Sequence, residues 1–159
     1  MVNPTLGYEP NVELSKTEIA RVQLVGAIDQ FLKGNWICSI TLAGAAEAIF
    51  AGLLANAGVS SVVEDSTAQI EVIRGVMTTA GDCLNPMDGK ADNKIYNKWN
   101  ETRNHLKHHS RGEEAMVKLN LFDEAYWMIK RALANANKAE VGIANEQDFE
   151  NWIVLNINL

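Results

Sequence analysis

The sequence predicts an all-α protein: an up-and-down helical bundle of four to five main helices followed by a short C-terminal helix. Three observations carry this. Apolar residues recur at helical spacing along most of the chain. Ser, Asn and Asp stand in capping positions ahead of those segments, with Gly behind the first two. No period-2 alternation of useful length and no internal repeat breaks the pattern. Amphipathic helices joined by short loops bury their apolar stripes most simply against one another. The 159 residues, 47% hydrophobic and 21% charged, suit one domain with a real core.

Residues 1–14 contain Pro4, Gly7 and Pro10 and read as an irregular arm, packed by Leu6 and Tyr8. Residues 15–159 read as a single bundle domain. Ser15 with Glu18 forms a capping-box pattern, and the first helix runs from there to about Lys33, stopped by Gly34. Ile19, Val22, Val25, Ile28, Phe31 and Leu32 recur at helical spacing along it. The second helix spans about 36–56 and ends at Gly58. Ile37, Ile40, Gly44, Glu47, Ala51 and Leu54 lie close to one stripe, while Leu42, Ala46, Ile49, Phe50 and Leu53 fill much of the rest. A helix apolar on several faces belongs at the centre of the fold. Its Gly and Ala residues let a neighbour approach closely, and Glu47 is then a partly buried carboxylate, read as pairing with an arginine in preference to shaping a site.

A third helix, capped by Ser60 or Ser61, reaches about Thr79 with Val63, Ile70, Ile73 and Met77 as its apolar side. Residues 81–93 form a Gly-, Asp-, Asn- and Pro-rich loop. The fourth helix starts near Asp92 or Asn93, carries Ile95, Trp99 and Leu106 inward, and breaks at Ser110-Arg111-Gly112. Residues 115–119 are a short connector. Asn120 with Asp123 caps a fifth helix to about Asn137, with Phe122, Ala125, Tyr126, Ile129, Ala132 and Leu133 inward. Asn145 and Asp148 repeat that pattern before a short helix with Phe149, Trp152, Ile153 and Leu155. The apolar residues 152–159 are expected to pack on the bundle or on a second subunit.

The formal charge of −6 argues against broad affinity for duplex DNA, which needs many phosphate contacts, but leaves room for a local basic site. No apolar run is read as the roughly 20 residues a membrane helix needs; the nearest, 37–57, carries Glu47. No basic stretch followed by an apolar one opens the chain, so no signal peptide is read and a cytoplasmic location is expected. The two cysteines, Cys38 and Cys83, form no CxxC pair, so no zinc framework is supported. Cys38 reads as a small buried hydrophobe, and Cys83 falls in a loop.

All three histidines lie within residues 99–111, a segment that also holds Arg103, Lys107 and Arg111. Arg103, Asn104 and His108 stand out. Histidine moves protons near neutral pH, and arginine offers a permanently charged planar fork to phosphate oxygens. RNA cleavage through its own 2′-hydroxyl requires those two services and no metal. Positions five apart on a regular helix differ by about 140° in direction, so Arg103 and His108 do not share a face; Asn104 and His108 do. The pair therefore meets only across a distorted helix or a symmetric dimer. The competing structural reading has histidines favoured by the C-terminal helix dipole, Arg103 paired with Glu47 or Glu101, and Asn104 as a hydrogen bond inside the bundle.

Arg103-Asn104 followed by His108, with Asn104-His105-Leu106-Lys107-His108 between, resembles the signature of the HEPN superfamily of small helical bundles. The stretch Thr41-Leu42-Ala43-Gly44-Ala45-Ala46-Glu47-Ala48-Ile49 is similar to the early helix of bacterial members. The resemblance spans the first to the fifth helix, and its core motif fixes three residues. It implies a homodimer with its site at the interface, and in many members metal-independent RNA cleavage. His108 would then move the proton, Arg103 supply the cation, and Asn104 orient. His105, Lys107 and His109 would contact RNA. No cofactor or metal is implied. The alternative is a non-catalytic interaction or RNA-binding module.

A third reading is a metal-binding bundle. Glu101, His105 and His109 are spaced i, i+4, i+8 along one helical stripe, as chelating side chains are. Further ligands would have to be carboxylates such as Glu47, Glu71 or Asp92, and no paired Glu-x-x-His pattern supports a dimetal site. Four tryptophans, Trp36, Trp99, Trp127 and Trp152, are spread along the chain and read as core and interface residues.

Overall fold

The computed structural model describes residues 11–79, 91–108, 112 and 115–157, with side chains of 71–96, 98 and 99 left aside. The arm at 1–10, Cys83 and its loop, His109, Ser110 and Arg111 lie outside the described residues, as do the side chains of Ile73, Met77, Ile95 and Trp99. Among the described residues six helices follow in order: α1 (Lys16–Leu32), α2 (Trp36–Asn56), α3 (Val62–Thr79), α4 (Ala91–Lys107), α5 (Leu121–Lys138) and α6 (Glu146–Asn156). There is no strand among the described residues, and the helices pack as an up-and-down bundle.

The caps set the boundaries. Ser15 Oγ accepts the Glu18 N–H at 3.0 Å, while the Glu18 carboxylate turns to Arg21. A full capping box opens α3: the Glu64 N–H donates to Ser61 Oγ, and the Ser61 N–H donates to Glu64 Oε2. Asn120 Oδ1 accepts the Asp123 N–H at the start of α5. At the other ends, Gly34 (φ +76°) and Gly58 (φ +72°) close α1 and α2. Asn35 N–H returns to the Gln30 carbonyl and Val59 N–H to that of Leu54, both at 2.9 Å, as in a Schellman cap. The same bond closes α5, from Val141 N–H to the Ala136 carbonyl, but its left-handed residue is Glu140 (φ +57°).

α2 is the hub, lying against α1, α4 and α5, while α6 packs on α1 and α3 reaches α4 and α5. Its 21 residues, with mean hydropathy 1.9 over the most apolar window, make it long and apolar enough to cross a membrane, contrary to the sequence reading. In this fold its Ile40, Ala43, Ala46, Phe50 and Leu54 are buried in the core, with Glu47 beside them. The core continues through Leu24, Ile28 and Phe31 of α1, Met128, Ile129 and Leu133 of α5, and Phe149 and Ile153 of α6. Phe31 sits at its aromatic end, with ring centroids 5.1 Å from Phe149 and 5.2 Å from Trp152, both edge-on.

Several positions depart from the sequence reading. Cys38 is exposed, because the neighbouring Ser39 takes the inward position on α2. Val22 and Ile37 are exposed too. The buried line of α1 runs through Ala20, Leu24, Ala27, Ile28 and Phe31, since the alanines let the helices close together and turn Val22 outward. Asn145 makes no capping bond. Its side-chain amide donates instead to the Val25 carbonyl (3.0 Å) and Asp29 Oδ1 (2.8 Å), tying the start of α6 to α1. Of the C-terminal strip, Ile153 is buried and Trp152 and Ile157 partly so, whereas Val154 and Leu155 are about four-fifths exposed.

Candidate functional site

The end of α4 passes over α2 at Gly44. A Cβ at Gly44 would stand 2.7 Å from Arg103 Cδ and 3.0 Å from Cγ, so the aliphatic stem of Arg103 fits only because no side chain is there. From this seat Arg103 Nη1 donates to the Gly44 carbonyl (3.2 Å) and to Glu47 Oε2 (3.5 Å). The arginine side chain is 14% exposed and that of Glu47 5%. The expected pairing of Glu47 with an arginine is thus present.

Glu47 has a second cation. Arg131 of α5, 7% exposed, brings Nη2 to 3.6 Å from the same Oε2 and donates to Asn100 Oδ1 at 3.4 Å. Asn135, one turn further along α5, donates to Glu47 Oε1 at 3.4 Å. Its own Oδ1 accepts the Val62 N–H at 2.9 Å. One buried carboxylate therefore faces two guanidinium groups and an amide, and the cluster ties α2, α4 and α5 to the start of α3. Asn100, Arg131 and Asn135 are buried polar residues outside the sequence motif. Their signal is the placement of Arg131 and Asn135 four apart among Met128, Ala132 and Ala136 on an otherwise apolar face.

The rest of the motif points away. Asn104, His105, Lys107 and His108 are exposed. The His108 N–H donates to the Asn104 carbonyl at 3.0 Å, so the helical hydrogen-bond pattern reaches His108, one residue past the end of α4. Asn104 and His108, four apart, share an outer face, and Arg103 is directed inward. The structure thus brings Arg103 to Glu47 and does not bring it to His108 within one chain. His105 Nε2 lies 3.8 Å from Glu101 Oε1, a loose contact on the surface. Partial burial, and then the nearby Arg103 charge, hold the Lys107 ammonium below the ordinary lysine pKa. Among the described residues no three of His, Cys, Asp and Glu gather as metal ligands.

A groove of about 170 Å³ between α3 and α5 adjoins the Glu47 cluster, lined by Val62, Val63, Ser66, Trp127, Lys130 and Arg131. Its walls are mainly apolar, and Lys130 is turned toward Glu150 Oε1 at 2.7 Å. Compared with protein-family models, curated proteins and solved structures, the chain matches none.

Proposed function

We propose that this chain is an HEPN-like bundle that acts on RNA as a cytoplasmic homodimer, through the C-terminal end of α4, as a metal-independent endoribonuclease. The observation that carries the reading is the exposure of Asn104 and His108 on one face at the C-terminal end of α4, beside Lys107 and with Arg103 next to Asn104 in the chain. In the proposed reaction His108 takes the proton of a 2′-hydroxyl. The 2′-oxygen bonds to the adjacent phosphorus, the bond to the 5′-oxygen breaks, and that oxygen leaves with a proton. The products are a 2′,3′-cyclic phosphate and a 5′-hydroxyl. Arg103 supplies the cation that stabilises the crowded phosphorane, and Asn104 orients the phosphate. Lys107 and His105 are placed to hold the flanking backbone; His109 is assigned the same role from the motif.

The test is cleavage of single-stranded RNA in the presence of a chelator. His108→Ala, with its helical circular dichroism intact, is expected to lose roughly 10²–10⁴-fold in rate, the usual worth of a general acid–base. Unchanged cleavage removes the mechanism. The engagement of Arg103 with Glu47 favours a second reading, a non-catalytic RNA-binding or interaction module. Wild-type protein that binds RNA without cutting it would select that reading.

A further inference from the structure

Arg103 and Arg131 approach the same oxygen of Glu47, at 3.5 and 3.6 Å, but they are not held alike. Arg131 is the more deeply buried, and it is also bonded to Asn100. Arg103 sits nearer the surface. Its side chain is 14% exposed against 7% for Arg131, and its Nη1 reaches only the Gly44 carbonyl and Glu47 among the described residues. Breaking a buried ion pair is expensive chiefly because it strands an uncompensated charge. Here, removing Arg103 from Glu47 strands none, since Arg131 and the Asn135 amide stay on the carboxylate.

We propose that Glu47 is a shared counter-ion with one fixed cation, Arg131, and one exchangeable cation, Arg103, so that Arg103 can leave Glu47 for an external phosphate. Glu47 and Arg131 are then positioning residues. Glu47 parks the Arg103 charge on the inner side of α4, and Arg131 keeps the carboxylate when Arg103 departs. That the phosphate is RNA's rests on the function proposed above; the exchange itself does not.

The full-length chain labelled with ¹⁵N separates the two. In the wild type, the Arg103 side-chain Nε–H is expected to exchange with water at least tenfold faster than that of Arg131. Equal protection of the two overturns the proposal. Adding a short single-stranded RNA should shift the Arg103 resonance and leave the Arg131 resonance in place. Arg103→Met should lower RNA affinity and flatten its dependence on log salt by about 0.7, the contribution of one single-strand phosphate contact. Arg131→Met leaves Glu47 with Arg103 as its one cation among the described residues, so affinity should fall about tenfold, and Arg131→Lys should restore most of it. Undiminished affinity in a folded Arg131→Met protein also overturns the exchange. If the wild type binds no RNA while the Arg103 Nε–H still exchanges fast, the RNA reading falls and the exchangeable ion pair stands.

Discussion

At Gly44 a single methyl group would decide where Arg103 rests. Glycine within a helix ordinarily costs about 0.5–1 kcal/mol relative to alanine, so Gly44→Ala should help α2 in isolation. The Cβ would, however, overlap the Arg103 stem, and overpacking of this kind costs about 1–3 kcal/mol. Gly44→Ala is therefore expected to destabilise the wild-type fold by about 1 kcal/mol in urea unfolding. In an Arg103→Ala background the obstruction is gone, and the same change should stabilise by about 0.5–1 kcal/mol. A reversal of sign between the two backgrounds is the result to look for. Two destabilising values would place the conflict elsewhere than at the Arg103 stem.

At the scale of the helix, the ends of α1 and α2 were legible because glycine holds their left-handed positions. α5 ends at Lys138, within one residue of the expected Asn137, with an ordinary residue, Glu140, in the equivalent left-handed position. A left-handed conformation costs an L-residue about 1–2 kcal/mol, partly offset by the extra freedom a glycine has when unfolded. Glu140 is exposed, so Glu140→Gly should stabilise by about 0.5–1 kcal/mol, read as a higher urea midpoint. No gain would mean that the Glu140 side chain contributes something its exposure does not suggest. Helix faces were harder to read than helix ends. Alanines carry little weight in a hydrophobic pattern, yet Ala20, Ala27, Ala43, Ala46, Ala132 and Ala136 line the closest helix contacts and rotate the buried stripes around themselves. That rotation explains Val22, and the same register on α2 puts Cys38 outside and Ser39 inside. The buried polar cluster was half visible, since Glu47 and Arg103 announce themselves as charges, but their meeting with Arg131 and Asn135 depends on how three helices pack.

A second device at this scale joins α3 to α5. Lys138, in the last turn of α5, reaches the Asp65 carboxylate and the Ser60 carbonyl, and Ser60 Oγ donates to the same carboxylate. The Lys138 hydrogen bond, then that of Ser60, hold the Asp65 pKa below its ordinary 3.8. A carboxyl group with a depressed folded-state value binds its proton more readily when unfolded. Its contribution is therefore complete above about pH 4 and is lost as pH falls through the lower folded-state value. Hydrogen exchange at the first turn of α3 is expected to accelerate in that acid window in the wild type. In Asp65→Asn it should already be fast at neutral pH and should lack that acid-dependent step. An unaltered acid response in the variant would mean that Asp65 is not the titrating group.

For the whole molecule, the bundle turns Arg103 inward and His108 outward at the C-terminal end of α4. One chain alone therefore offers the proposed reaction its two groups on different sides. A two-fold dimer resolves this if the Arg103 of one subunit faces the His108 of the other, since an isologous interface repeats each pairing twice. Subunit mixing tests the arrangement. Arg103→Ala and His108→Ala proteins are each expected to be inactive. In a hybrid, one trans pairing is intact and the other loses both groups, so an equal mixture at exchange equilibrium should recover about a quarter of wild-type cleavage. If each subunit used its own pair, every site in every dimer would lack one group, and mixing would restore nothing. Recovery without RNA-dependent subunit exchange, followed by size-exclusion chromatography of the mixture, would further tie the activity to the hybrid species. A mixture that stays inactive while hybrids demonstrably form would put the Arg103 charge to work inside its own bundle, on Glu47.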